Sequence, residues 1–327
     1  MGSHTESGLG AHVGKRITIR LHEDSGGFRD IVGVLESETT LRNKHNEIIE
    51  FSPSDIAISR VIKELPTRAG TGAPLSHRIH EIEDICMRTW PPTKIESLGK
   101  WQMRTSGKFT MRANSVLPQG AAPYGQPGCD IEQAIIKVIE HYKKENLTPI
   151  FHLPLPTYSA LDSALEKLGW KERVRAHVMV ADITNFHVNL PSGFEMNTSS
   201  EFDESWLEVQ DDHGVAEIMR SYPALYSSIS KNGTIVAVGR TAQCEKWTSL
   251  ARIYVAPEMR GMGLGKAIVS ELLNSAAAHS ATQAVLQVDS NNQGAIALYE
   301  SLGFRFHHEY IFRAHLTSLD ILEEECC

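Results

Sequence analysis

The 327-residue sequence has no apolar run near the roughly 20 residues that a bilayer-spanning helix needs. Its opening, MGSHTESGLGAHVGKR, lacks the apolar core of a secretory signal. Cysteine is scarce: Cys86, Cys129, Cys244, Cys326 and Cys327 are odd in number, scattered, and without CxxC or Cys/His ligand spacing. That excludes a disulfide framework and a zinc-finger-like centre, and it fits a reducing, cytoplasmic setting. Positive charge is also short, with 32 Lys and Arg against 40 Asp and Glu and a net charge of −8. A general electrostatic grip on nucleic acid needs clustered Lys and Arg, so a nucleic-acid partner is not expected. What remains, 41% hydrophobic and 22% charged residues, is the composition of a globular chain long enough for about two domains.

Three segments follow from patterning. Over residues 13–62, short β-rich runs such as Arg16-Ile17-Thr18-Ile19-Arg20-Leu21 and Ile31-Val32-Gly33-Val34-Leu35 alternate with turn signals, which predicts a small SH3-like β-barrel over 1–66. Residues 67–75, containing TRAGTGAP, read as a linker. Beyond it the chain says the same thing twice, about 134 to 139 residues apart. Each copy has a strand ending in proline (Thr110 to Pro118; Thr248 to Pro257), a glycine-rich turn and a helix (from Asp130 to about Glu145; from Gly265 to about His279). Each continues with an apolar strand (Thr148 to Leu153; Thr282 to Val288), a helix closing on Leu-Gly-aromatic and a last β-rich run. The first copy, 76–190, reads QGAAPYGQPG where the second, 191–327, has its tight glycine series, and Leu165 stands at the place of Tyr299. The expected fold is therefore α/β, in the α+β sense of a mixed sheet, in two related halves of which the first has lost its site.

The sharpest local signal is Val255-Ala256-Pro257-Glu258-Met259-Arg260-Gly261-Met262-Gly263-Leu264-Gly265-Lys266, between a strand and an amphipathic helix. Small residues let successive backbone N–H groups converge on an anion, and the helix behind presents its positive end at the same point. A Walker loop is excluded, because it needs glycine at 260 and Ser or Thr at 267, where the chain has Arg260 and Ala267. A dinucleotide fingerprint starting at Gly261 fails at Lys266. Downstream, Asn292, Ala295, Leu298, Tyr299, Gly303 and Phe304 fit Asn-x-x-Ala-x-x-Leu-Tyr-x-x-x-Gly-Phe.

With Arg-x-x-Gly-x-Gly after a strand ending Val-x-Pro, and this second signature at the expected separation, the chain resembles the GNAT N-acetyltransferases. More narrowly, phrases such as Arg112-Ala113-Asn114-Ser115 and Tyr310-Ile311-Phe312-Arg313 make it similar to actinobacterial tandem-GNAT proteins with an SH3-like N-terminal segment. The resemblance implies acetyl-CoA as co-substrate, a primary amine as acceptor, and no metal. It implies that Arg260, Gly261, Met262, Gly263, Leu264, Gly265 and Lys266 hold the coenzyme diphosphate. Ile253, Tyr254 and Val255 would pair through their backbone with the pantetheine arm, and Asn292 would meet the coenzyme while capping its helix. Tyr299 is expected to contact the coenzyme near its sulfur and protonate the departing thiolate. No carboxylate lies between Thr248 and Val255 to act as general base; Asp211, Asp212, His213 and Glu245 remain as candidates, beside a water chain or an amine that arrives neutral. His307 and His308 are expected to be surface or packing residues. A catalytically idle acyl-CoA binder is the alternative to an enzyme.

Overall fold

The computed structural model describes residues 9–23, 26–43, 46–62, 70–211 and 213–316. The start of the expected linker, Asp212 and the Cys326-Cys327 pair lie outside them. Contacts divide the chain into two compact units, Met1–Thr67 and Arg68–Cys327.

In the first unit, β1 (Arg16–His22), β2 (Phe28–Leu35), β3 (Thr40–Arg42), β4 (Ile48–Glu50) and β5 (Ile56–Val61) pair antiparallel in the order β4-β3-β2-β1-β5. Alternation along β1 builds the core: Ile17, Ile19 and Leu21 point to one face and bury there with Ile31, Leu35 and Leu41. The sheet stays open, since the described residues show no ladder between β4 and β5. The strands were expected; the closed barrel is not formed.

The second unit is built on one mixed sheet of eleven strands. Its elements run α1 (Leu75–Thr89), β6 (Lys94–Leu98), β7 (Trp101–Thr105), β8 (Val116–Pro118), α2 (Ile131–Lys144), β9 (Ile150–Leu155), α3 (Ser159–Lys167) and β10 (Lys171–Asp182). They continue with β11 (Phe194–Ser199), α4 (Glu204–Glu208), α5 (Ala216–Arg220), β12 (Leu225–Lys231), β13 (Thr234–Cys244), β14 (Trp247–Val255), α6 (Leu264–Ala278), β15 (Gln283–Asp289), α7 (Gln293–Ser301) and β16 (Arg305–Ala314). The strand order is β11-β12-β13-β14-β15-β10-β16-β9-β8-β7-β6. Coming in from either end, hairpin-like antiparallel pairs lead to one parallel pair, β14 with β15 on one arm and β8 with β9 on the other. The last strand of each arm pairs with the other arm: β10 lies against β15, and β16 against β9.

Helix starts follow local chemistry. The Gln133 N–H donates to Asp130 Oδ1 at 2.9 Å and caps α2. The expected strand from Thr110 shrinks to β8, because residues 110–114 are held as a turn. Thr110 has φ 58°, and Asn114 Nδ2 donates to the Phe109 carbonyl at 2.8 Å while Asn114 Oδ1 accepts from the Ser106 N–H at 2.7 Å. Such side-chain bonds compete with a strand ladder.

Neighbouring residues Leu250 and Ala251 fall into different core clusters. Helices α6 and α7 therefore cover one face of the β12–β15 arm, and α4 and α5 the other. Near the sheet centre α1 adds a buried polar chain. His308 Nε2 donates to Glu83 Oε1 at 3.0 Å, His152 Nε2 lies 3.5 Å from Glu83 Oε2, and Arg104 Nη2 donates to His152 Nδ1 at 3.2 Å. Of the two readings expected for it, surface or packing, His308 takes the second and is 2% exposed. Burial pushes His152 down to about 3 and His307 down to about 4; Glu83 is held below the usual carboxylate range, with the adjacent His152 and His308 outweighing its own burial. Both histidines are thus neutral when folded but take up protons once unfolded below their ordinary 6.5. Stability is fully present above about pH 6.5 and falls as the pH drops toward 4, with His152 contributing a slope of about 1.4 kcal/mol per pH unit. Urea unfolding of His152→Gln between pH 7 and 4.5 should show a slope flatter by that amount; an unchanged slope would contradict the burial account.

Candidate active site

The site begins where β14 leaves its neighbour. The parallel register runs from Trp247 with Gln283 to Leu250 with Leu286 and goes no further, while β15 continues against β10 as far as Asp289. On its other edge β14 stays with β13, through Val238 with Tyr254 and Ala237 with Val255. A bulge bends it away: the register skips between Val238 and Arg240, and Arg252 has φ 58°. A Cβ on Gly239, opposite the bulge, would come within 2.5 Å of Ile268 Cγ2 and 2.9 Å of Ile253 Cδ1, so only glycine lets α6 sit this close. The result is a gap in the sheet, with the backbone edge of Ile253 to Val255 facing it.

The loop after β14 closes one end of the gap. Gly261 and Gly263 have φ 78° and 82°, left-handed values that cost a residue with a Cβ roughly 1–2 kcal/mol. A Cβ on either would meet nothing within 4 Å, so these glycines answer to backbone geometry and leave open space above them. Gly263 is also the N-cap of α6 and has no side chain to cap it. The first N–H groups of a helix have no partner within it, so those of α6 point outward at its positive end.

All the sequence-predicted residues but Met262 line one cleft of about 530 Å³, joined by Met259, Gly294, Ala295 and Leu298. Met262, between the two left-handed glycines, is 42% exposed and lies outside the lining. Arg260 folds back: its Nε donates to the Val255 carbonyl at 3.1 Å, and its guanidinium carbon lies 5.7 Å from the Tyr254 ring centre. Its terminal nitrogens stay available at the mouth. Lys266 is exposed at the rim and makes no ion pair among the described residues. Asn292 caps α7, its Oδ1 accepting from the Ala295 N–H at 3.1 Å, and it lines the cleft.

Tyr299 is 7% exposed, and its ring centre lies 5.9 Å from that of Phe304. Its hydroxyl has no hydrogen-bond partner among the described residues. Burial pushes its pKa up to about 12, so it is a neutral O–H at ordinary pH. The candidates for a base fare differently. Glu245 pairs with Arg88 at 2.9 Å, at the hairpin end of β14, roughly 25–30 Å along the strand from Val255. His213 pairs with Glu204 at 2.5 Å, and the Asp211 side chain is fully exposed.

A family model described as "Probable histone acetyltransferase Rv0428c C-terminal" matches residues 76–313. The chain belongs to this family. Within the Rv0428c C-terminal family's range fall the cleft and all of the interleaved sheet but its last residue, Ala314. "Probable histone acetyltransferase Rv0428c" of Mycobacterium tuberculosis is 25% identical over 314 residues, covering 90% of this chain and 93% of its own. "Uncharacterized N-acetyltransferase YobR" of Bacillus subtilis is 25% identical over 248 residues, 72% of this chain and 98% of its own. A solved GCN5-related N-acetyltransferase from Kribbella flavida shares the fold with a TM-score of 0.58 at 16% identity, covering 72% of this chain and 94% of its own. This member of the Rv0428c C-terminal family is a GNAT-type acetyltransferase, with the mixed α/β fold of that group.

Proposed function

We propose that the protein transfers the acetyl group of acetyl-CoA to a primary amine by direct attack, with no covalent enzyme intermediate. The observation that carries this reading is one cleft that combines a glycine-opened helix N-terminus, a free β14 edge and a neutral, unpartnered phenol. In it the N–H groups from Gly261 to Lys266, with Arg260 and Lys266, hold the diphosphate. The Ile253 to Val255 backbone takes the pantetheine arm where β15 has diverged, and Asn292 Nδ2 meets the same ligand. The amine arrives neutral or loses its proton through water, since β14 carries no carboxylate. Its lone pair forms the new C–N bond as the C–S bond breaks, Tyr299 gives its proton to the leaving sulfur, and the proton shed by the amide nitrogen passes through water to restore the phenol. Most of the acceleration comes from holding the two reactants together, an effect of roughly 7 to 11 kcal/mol.

The same reading treats the two arms as GNAT-like halves, 76–190 and 191–327. Leu165, at the place of Tyr299, is fully buried among Tyr158, Leu161 and Trp170, so it packs and nothing more. The pairing order β4-β3-β2-β1-β5 supports an SH3-like ancestry for residues 1–66, with 67–75 as linker. The free thiols of Cys86, Cys129 and Cys244 suit a cytoplasmic setting. Release of free thiol from acetyl-CoA, followed over a panel of amines, tests the activity: amine-dependent release is expected, and binding without any release would leave only the idle binder.

A further inference from the structure

On the face of the sheet opposite α6, a second cavity of about 250 Å³ lies under the 110–112 turn, against the ends of β15, β10 and β16. Its walls mix apolar residues, Val174, Ala176 and Phe312 among them, with Thr110, Arg112, Gln287, Asp289 and Tyr310. Arg112, Gln287 and Tyr310 supply donors. Arg112 Nη1 donates to Gln287 Oε1 at 2.9 Å, and its guanidinium carbon lies 5.2 Å from the Trp90 ring centre; among the described residues it meets no carboxylate within ion-pair distance. That bond turns the Gln287 carboxamide so that Nε2 faces away from Arg112, and Nε2 is buried without a partner. Tyr310 is 4% exposed, burial raises its pKa, and its hydroxyl has no partner among the described residues. The Gln287 Nε2 and the Tyr310 hydroxyl thus offer donors with no acceptor among the described residues, although buried polar groups are nearly always paired.

We propose that this cavity receives the carboxylate of the acetyl acceptor, and that Arg112 is the residue that selects for it. The planar guanidinium fork of Arg112 suits the two oxygens of a carboxylate, with Gln287 Nε2 and the Tyr310 hydroxyl as further donors; Asp289, also in the lining, is left to face the amine end of the acceptor. The volume admits a carboxylate on a short aliphatic chain and excludes a nucleotide.

Its place in the sheet sets the length of the acceptor. Gln287 follows Leu286, the last residue of β15 paired with β14, and so borders the gap proposed for the thioester. From there the cavity reaches across β10 to β16, one to two strand spacings or roughly 5–10 Å. The acceptor class is an amino acid whose reactive amine is distal to its carboxylate, as in an ω-amino acid or the side-chain amine of free lysine. The turn that carries Arg112 comes from the other arm of the sheet, pinned by Asn114 and by Trp90 Nε1 donating to Thr110 Oγ1 at 3.1 Å. The arm with no site of its own thus supplies the specificity of the arm that has one.

This inference rests on the acetyl transfer proposed above, and the experiment separates the two. The kcat/KM values of 5-aminovalerate and 6-aminohexanoate are compared with those of butylamine and pentylamine, in the wild type, Arg112→Gln and Arg112→Lys. The wild type should favour the carboxylates by about 10–100-fold, the worth of a charged hydrogen bond. In Arg112→Gln the ratio should fall to about one, with Arg112→Lys between, while calorimetry with acetyl-CoA confirms that the variants are folded. Equal wild-type values, or a preference that survives Arg112→Gln, would overturn the proposal, as would transfer confined to phosphoethanolamine or to lysine within peptides. If no amine is acetylated, titration with 6-aminohexanoate alone decides: heat in the wild type and none in Arg112→Gln upholds the cavity and rejects the transfer, and no heat in either rejects the cavity as well.

Discussion

Replacing Tyr299 by phenylalanine should lower kcat by about 10² to 10⁴ and leave both the unfolding midpoint and the acetyl-CoA Kd close to the wild-type values. The ring fills the core beside Leu298, Leu302 and Phe304, and phenylalanine fills it equally well. Its hydroxyl makes no hydrogen bond to the described residues, so removing it strands no buried partner. What is lost is a proton held at a pKa of about 12 and aimed into the cleft. A departing thiolate is stabilised by that proton only as the C–S bond breaks, so the loss falls on the chemical step and not on binding. Steady-state kinetics with calorimetry separates these terms. Equal losses in kcat and in coenzyme affinity would make Tyr299 a packing residue.

Gly263→Asp should weaken acetyl-CoA binding by at least about 100-fold, the second large effect. At φ 82° any Cβ is strained by roughly 1–2 kcal/mol, a cost that appears as a lower Tm. The binding loss has a separate origin. A Cβ at this position meets no protein atom within 4 Å, so the side chain extends into the space proposed for the diphosphate. It also places a carboxylate where the helix end attracts an anion. Gly263→Ala serves as control, since it carries the strain without the charge and should lie between the wild type and the aspartate variant. Calorimetry on the folded variants that returned an unchanged Kd would remove the diphosphate from this loop.

What could be read from the sequence was whatever local chemistry dictates. The glycine series after Pro257 announces a tight turn, Asp130 and Asn292 announce helix starts, and the β-rich run Arg16 to Leu21 announces a strand; each is where it was expected. The bulge at Arg252 was not legible, because an arginine at positive φ has no sequence mark. The turn at 110–114 was read as strand, since its β-like residues hide the Asn114 side chain that holds it. Long-range pairing was equally silent: nothing local in β10 or β16 says that each will lie against the other arm, and the second cavity depends on that exchange. The buried chain through Glu83, His152 and His308 escaped for the same reason, as its members come from three elements far apart in sequence.

The central claim is that the end of β14 and the start of α6 together bind acetyl-CoA, and a crystal structure of the protein with that ligand tests it most directly. The account predicts the diphosphate on the backbone amides between Gly261 and Lys266, the arm alongside Ile253 to Val255, and the sulfur next to the Tyr299 hydroxyl. A coenzyme seated instead at the turn after Pro118, or one that leaves the β14 edge bare, would contradict it.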